Sequence, residues 1–233
     1  MSAIQVFESL YGTDINVSGI LHSLLEKEDV AQKLIDDIDN NTWGIFKERI
    51  LWQLIQVNPS YYEPVVRHLL SSKKTISPII FKAILPHYPN LINEFFTYLN
   101  KYPKLLKSRE APFILIKNIK KINFQLSEKQ TDIIFNQIKN NYWFRISEVI
   151  EANDLLYFLK QWLAYRATAA DFAEALNYLK SYGKPVTISQ EIDLLSCTSK
   201  NTIIDVWHKS KNKTKQAAYV KRFPEIKKLL PLV

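Results

Sequence analysis

Glycine is scarce in this sequence, with four among 233 residues: Gly12, Gly19, Gly44 and Gly183. No two lie close enough to build a phosphate-cradling loop, which excludes the Walker and dinucleotide-binding fingerprints. So few residues suited to positive φ also argue against a large β or α/β fold, with its many tight turns. Cysteine is nearly missing. The single Cys197 excludes an internal disulfide, and beside Leu194 and Leu195 it reads as a small packed residue rather than a nucleophile. The first residues lack the basic start and apolar run of a secretory signal, so the chain is expected to be intracellular, cytoplasmic or nuclear. Long apolar runs are missing too. TISPIIFKAIL, Thr75 to Leu85, is broken by Lys82 and falls short of the roughly 20 residues that cross a bilayer. The histidines His22, His68, His87 and His208 stand singly, without the spacing of a metal site. No membrane, metal or cofactor partner is expected.

Apolar residues, by contrast, make up 47 % of the chain, enough for a sizeable core. Their spacing is helical almost throughout. In WGIFKERILWQLIQ, Trp43, Phe46, Ile50, Leu51, Leu54 and Ile55 recur at three and four residues and share one face. Asn58-Pro59 breaks that helix, and Tyr61, Tyr62, Val65, Val66 and Leu69 carry the apolar face of a second. Trp52, Trp143, Trp162, Tyr61, Tyr62, Phe95 and Phe96 fall on such stripes and are expected in the core.

The same design recurs thirty positions later. Ile50, Leu51, Leu54, Ile55, Pro59, Val65, Val66 and Leu69 align with Ile80, Phe81, Ile84, Leu85, Pro89, Phe95, Phe96 and Leu99, and the offset backwards reaches Ile20, Leu21, Leu24, Leu25, Asp29 and Ile35. Downstream the period loosens: Phe113, Ile116, Ile119 and Ile122 precede Ile133, Ile134 and Ile138, and then Ile146, Val149 and Ile150 precede Leu155, Leu156, Leu159 and Leu163. A helix pair cannot bury its own apolar face, so consecutive pairs are expected to stack on a shared, elongated core. From Gly19 to Leu163 the pattern resembles the HEAT and armadillo class of helical repeats, at a shorter spacing than is usual for them; an irregular all-α domain is the alternative. The expected fold is all-α: an α-solenoid of about five helical hairpins over 1–166, closed by a basic module of short helices over 167–233. That module is punctuated by expected caps at Thr168 with Asp171, Thr187 with Gln190, and Ser199, and by a stop at Gly183 and Pro185.

Charge is unevenly spread. The net charge is +8, yet Met1 to Thr42 holds two basic and eight acidic residues, a balance of −6. Asp36, Asp37 and Asp39 of that segment read as a solvated cap or a contact for a basic partner. Lys200 to Val233 carries nine basic residues against Asp205 and Glu225, and Lys101 to Lys121 carries seven against Glu110; such asymmetry points to an anionic partner. In SKNKTKQAAYVKRFPEIKK, Lys211, Lys213 and Lys215 alternate with small polar residues and read as a flexible loop. Lys221 and Arg222 follow on a helix whose Tyr219 and Phe223 share a face. Those rings serve either base stacking or the core, and the cations serve phosphate binding, nuclear targeting or solvation alone. ISQEIDLLSCTSKNTIIDVW, with two helices about Cys197 and Thr198, resembles a helix-turn-helix in which Lys200, Asn201 and Thr202 would face bases. Lys117, Lys120 and Lys121 form a second cationic face on one helix.

These patterns describe a non-enzymatic adaptor or scaffold in a larger complex, binding a protein through its helical surface and DNA or RNA through its basic end. Two alternatives are a helical-repeat enzyme resembling DNA glycosylases, drawing on Asp132, Asp154 or Asp171 with Trp143 and Trp162, and a pure protein-binding module.

Overall fold

The structure is a computed structural model that describes residues 29–104, 111–140, 150–166, 168–181 and 185–228. The described residues form thirteen α-helices and a short 3-10 turn, with no strand. The chain divides into two compact units, Met1–Ala111 and Pro112–Val233.

The first unit contains α1 (Val30–Asp39), α2 (Ile45–Val57), α3 (Pro59–Ser71), α4 (Pro78–His87) and α5 (Ile92–Lys101). Local chemistry sets their ends. Asp29 caps α1 by accepting from the Gln32 N–H, and Asn58 caps α3 from the Tyr61 N–H with Pro59 pre-set in the first turn. After α1, Asn41 takes φ 65°, the left-handed conformation that asparagine tolerates, and the Thr42 N–H reaches back to the Asp37 carbonyl at 3.1 Å. Alternate helices pack side by side: α1 on α3, α3 on α5, and α2 on α4.

The aligned apolar positions are buried, except that the side chain of Phe81, the partner of Leu51, lies outside the described residues. Ile50 and Ile80, Leu54 and Ile84, Ile55 and Leu85, Val65 and Phe95, Val66 and Phe96, and Leu69 and Leu99 all lie in the core. This arrangement is compatible with a helical-repeat fold. The earliest aligned positions, Ile20 to Leu25, lie outside the described residues. Tyr61 departs from the expectation: it is exposed, and its hydroxyl reaches Asp29 at 3.3 Å, while its neighbour Tyr62 takes the buried position. The acidic residues after Asp29 are engaged within the unit. Asp37 pairs with Lys47, Asp39 with His68 at 2.7 Å, and Asp36 accepts from Gln32.

The second unit holds most of α6 (Ala111–Lys121), then α7 (Glu128–Asn140), α8 (Ala152–Leu163), α9 (Ala169–Ser181), α10 (Ile188–Leu195), α11 (Lys200–Lys209), α12 (Lys213–Arg222) and α13 (Pro224–Lys227). Here α8 packs on α7, α9 and α10. Asn123, at φ 51°, closes α6, with the Phe124 N–H bonded to the Ile119 carbonyl.

One device is common to both units. In the first, the loop between α3 and α4 is held by a tyrosine of α5 and the one that caps its end: Tyr98 donates to the Lys74 carbonyl and accepts from the Ile76 N–H, while Tyr102 donates to the Ser72 carbonyl. In the second, the loop between α6 and α7 is held from α8. Gln161 donates to the Phe124 carbonyl and accepts from the Leu126 N–H, and Tyr165 donates to the Leu126 carbonyl. Each loop therefore satisfies its backbone on the helix after next.

A buried carboxylate ties α2 to the start of α4. Glu48 is 3 % exposed and accepts from the Ser77 N–H at 3.0 Å, and burial pushes its carboxyl up from the ordinary value. The folded state thus holds the proton more tightly than the unfolded chain. The stability this group contributes is full below the ordinary carboxylate range and is lost as pH rises through the folded value. Glu48→Gln keeps an acceptor for Ser77 without the charge. Its melting temperature minus that of the wild type is expected to grow from pH 4 to pH 8 by more than measurement error, and a difference independent of pH would refute the buried charge.

Candidate nucleic-acid interface

The basic end is built on well-capped helices. Thr168 and Asp171 cap each other reciprocally at the start of α9. Thr187 and Gln190 form a full capping box on α10, and Ser199 caps α11 by accepting from the Thr202 N–H. Gly183 of the expected stop lies outside the described residues. The stretch expected to be a flexible loop is shorter than its composition suggests. Asn212 accepts from the Lys215 N–H at 3.0 Å and starts α12 at Lys213, leaving only Ser210, Lys211 and Asn212 between α11 and α12. A good N-cap overrides a polar, lysine-rich composition here.

On α12 the two aromatic rings are committed. Tyr219 is 1 % exposed and Phe223 6 %, so neither offers a platform for stacking. Tyr219 donates its hydroxyl to Glu191 of α10, and burial with the adjacent carboxylate pushes the phenol far up, so it remains a donor. Glu191 is itself 5 % exposed and also accepts from Lys215 at 2.5 Å. Lys215 is thereby a structural residue that links α12 to α10. Nothing local signals this pair, which is separated by 24 positions.

The other cations differ. Lys211, Lys213, Lys221 and Arg222 are exposed and form no ion pair among the described residues. Lys213, Ala217 and Lys221 follow one another at steps of four along the exposed face of α12, which places the two lysines about 12 Å apart along the axis. Lys200 and Asn201 are exposed in the first turn of α11, whereas Thr202 is buried with its hydroxyl 3.0 Å from Ser199 Oγ. Thr202 therefore faces the protein, because the first turn of α11 packs that side inward. Helix α10 packs on α8, α9 and α12, and α11 packs on α9.

The second cationic face is divided. Lys117 and Lys121 are exposed on α6, four residues apart, but Lys120 turns to Asp154 of α8 at 2.6 Å. Asp154 is 6 % exposed and requires a cation or donor, which is the physical reason Lys120 leaves the surface strip.

Residues of the enzyme alternative are likewise engaged. Asp132 pairs with Arg166, Asp154 with Lys120, and Asp171 caps α9. Trp162 is buried, and Trp143 lies outside the described residues. Cys197 is half-buried, and desolvation pushes its thiol up, away from the reactive thiolate. Among the described residues no group of His, Cys, Asp and Glu is placed to hold a metal ion, and no helix is long and apolar enough to cross a membrane. Comparison with protein-family models, curated proteins and solved structures finds no match to the chain.

Proposed function

We propose that the protein is a non-enzymatic adaptor, an α-solenoid of about five helical hairpins that holds a partner protein while its C-terminal helices contact the phosphates of a nucleic acid. The observation that carries the nucleic-acid part is the set of exposed cations, without an ion pair among the described residues, on α11, α12 and the loop between them: Lys200, Lys211, Lys213, Lys221 and Arg222. Stability alone does not account for their placement. Lys211 and Lys213 sit at the positive end of α12, whose first turn contains no acidic residue, and the helix dipole there favours anions. Of the lysines at that end, Lys215 alone is offset by a partner, Glu191. A phosphate would relieve this repulsion, meeting both lysine heads and the first-turn N–H groups that the Asn212 cap does not take. With Tyr219 and Phe223 buried, such a surface reads charge rather than bases, so affinity would depend on salt more than on sequence. The structural use of Asp132, Asp154 and Asp171 supports the non-enzymatic reading over a glycosylase-like one.

A salt titration tests this. The chain and a variant with Lys211, Lys213, Lys221 and Arg222 all changed to Gln are titrated with labelled duplex DNA and single-stranded RNA from 50 to 300 mM salt. If all four cations meet phosphates, the slope of log affinity against log salt on duplex DNA should flatten by about 3 to 4 in the variant. Keeping Lys215 preserves the α10 contact, so lost binding is not lost structure. Absence of binding by the wild type at 50 mM salt would overturn the nucleic-acid part and leave a protein-binding module.

A further inference from the structure

The second unit contains a cavity of about 560 Å³ between α9, α11 and the start of α12, a size that suits an organic molecule. Its apolar side is Ala169, Ala173, Phe172 and Leu176 of α9 with Val206 of α11. Its polar side is built. Glu191, 5 % exposed, lines the cavity and anchors Lys215 at 2.5 Å, and Tyr219 supports Glu191 from the core. Lys180 and Lys209 also line it.

The balance of charge around this space decides the ligand. Three lysines face one carboxylate there, and that carboxylate is already satisfied by Lys215 and Tyr219. An ammonium has three donors. Lys215 gives one to Glu191 and Lys209 one to Asp205, a pair exposed enough to exchange easily, while Lys180 has no ion pair among the described residues. A cation would therefore meet excess positive charge, and a wholly apolar molecule would leave Lys180, which has no ion pair among the described residues, without a counter-charge. We propose that this cavity binds a small organic anion, an apolar or aromatic body that rests on the alanine face of α9 and carries one anionic group toward Lys180, Lys209 and Lys215. The cations of this site are not those of the proposed nucleic-acid surface, although both lie at the start of α12.

The test uses anilinonaphthalene sulfonate, which has an aromatic body and one anionic group, and the uncharged phenylnaphthylamine as its control. The intact chain is titrated with each dye, and fluorescence is read. A single saturable site for the sulfonate is expected, with the neutral dye bound about tenfold more weakly, the value of one charge-assisted hydrogen bond. Lys180→Gln should weaken the sulfonate by a similar factor, and Ala173→Leu, which places a branched side chain in the cavity, should abolish the site. Both positions are exposed on α9, and unchanged far-ultraviolet circular dichroism checks that the fold is retained. The proposal is overturned by failure of the wild type to saturate at one site, by equal binding of the two dyes, or by a site that persists unchanged in both variants.

Discussion

Lys215→Met is expected to destabilise the second unit by about 3 kcal/mol, because it leaves a buried carboxylate with its counter-charge removed. Glu191 keeps the Tyr219 hydroxyl in that variant but loses Lys215, and at 5 % exposure it has little water to replace the ammonium. Lys215 itself is about a third exposed, with 29 % of its side chain accessible, against 6 % for Glu191. The penalty therefore falls mainly on the acid left behind rather than on the lost attraction. The double variant Lys215→Met with Glu191→Gln separates the two. A neutral amide still accepts from Tyr219 without a charge to bury, so the pair should recover at least half of the loss, giving a coupling energy of about 1.5 kcal/mol or more. Urea denaturation followed by circular dichroism measures both. A single-variant cost below about 0.5 kcal/mol, as typical of exposed pairs, would mean that the carboxylate is hydrated and that Lys215 belongs with the surface cations after all.

That residue shows where reading from sequence stops. Features governed by near neighbours were legible: the boxes at Thr168 with Asp171 and Thr187 with Gln190, the cap at Ser199, and, Tyr61 apart, the described apolar positions aligned between 50–70 and 80–100 occur as expected. Each depends on spacings of three or four residues, which a sequence displays directly. Lys211, Lys213, Lys221 and Arg222 are exposed, as a solvated, lysine-rich composition suggests, but the start of α12 at Lys213 is set by the Asn212 cap rather than by composition. Lys120 and Lys215 were not legible, since their carboxylate partners lie 34 and 24 positions away. A lysine spaced for the solvent face is indistinguishable in sequence from one that a distant acid draws inward. The tyrosines that hold the loops, Tyr98, Tyr102 and Tyr165, went unread, because only the third dimension shows which backbone groups they satisfy. Tyr61 and Tyr62 make the same point from the other side, as adjacent tyrosines of which only the second is buried.

Trp162→Ala should cost about 4 kcal/mol, the range for removing a large buried aromatic. Trp162 is 4 % exposed and stacks on Phe135, with ring centroids 3.9 Å apart and planes 13° from parallel; Phe135 in turn meets the edge of Tyr178 at 5.1 Å. The guanidinium of Arg166 lies 5.2 Å above the indole and is held there by Asp132 and Glu128. One ring thus joins the packing of α7, α8 and α9 to a surface ion-pair group. Its indole N–H, however, is buried and has no hydrogen-bond partner among the described residues, and an unsatisfied buried donor of that kind costs about 1 to 3 kcal/mol. Trp162→Phe keeps an aromatic face for Phe135 and Arg166 and removes the orphan donor, so the smaller ring's lost contact area is largely offset. Its expected cost is about 1 kcal/mol, well under that of alanine. Denaturation of both variants under the same conditions decides the matter. Equal losses would show that the N–H has a partner, or that indole shape rather than the aromatic stack holds α7, α8 and α9 together.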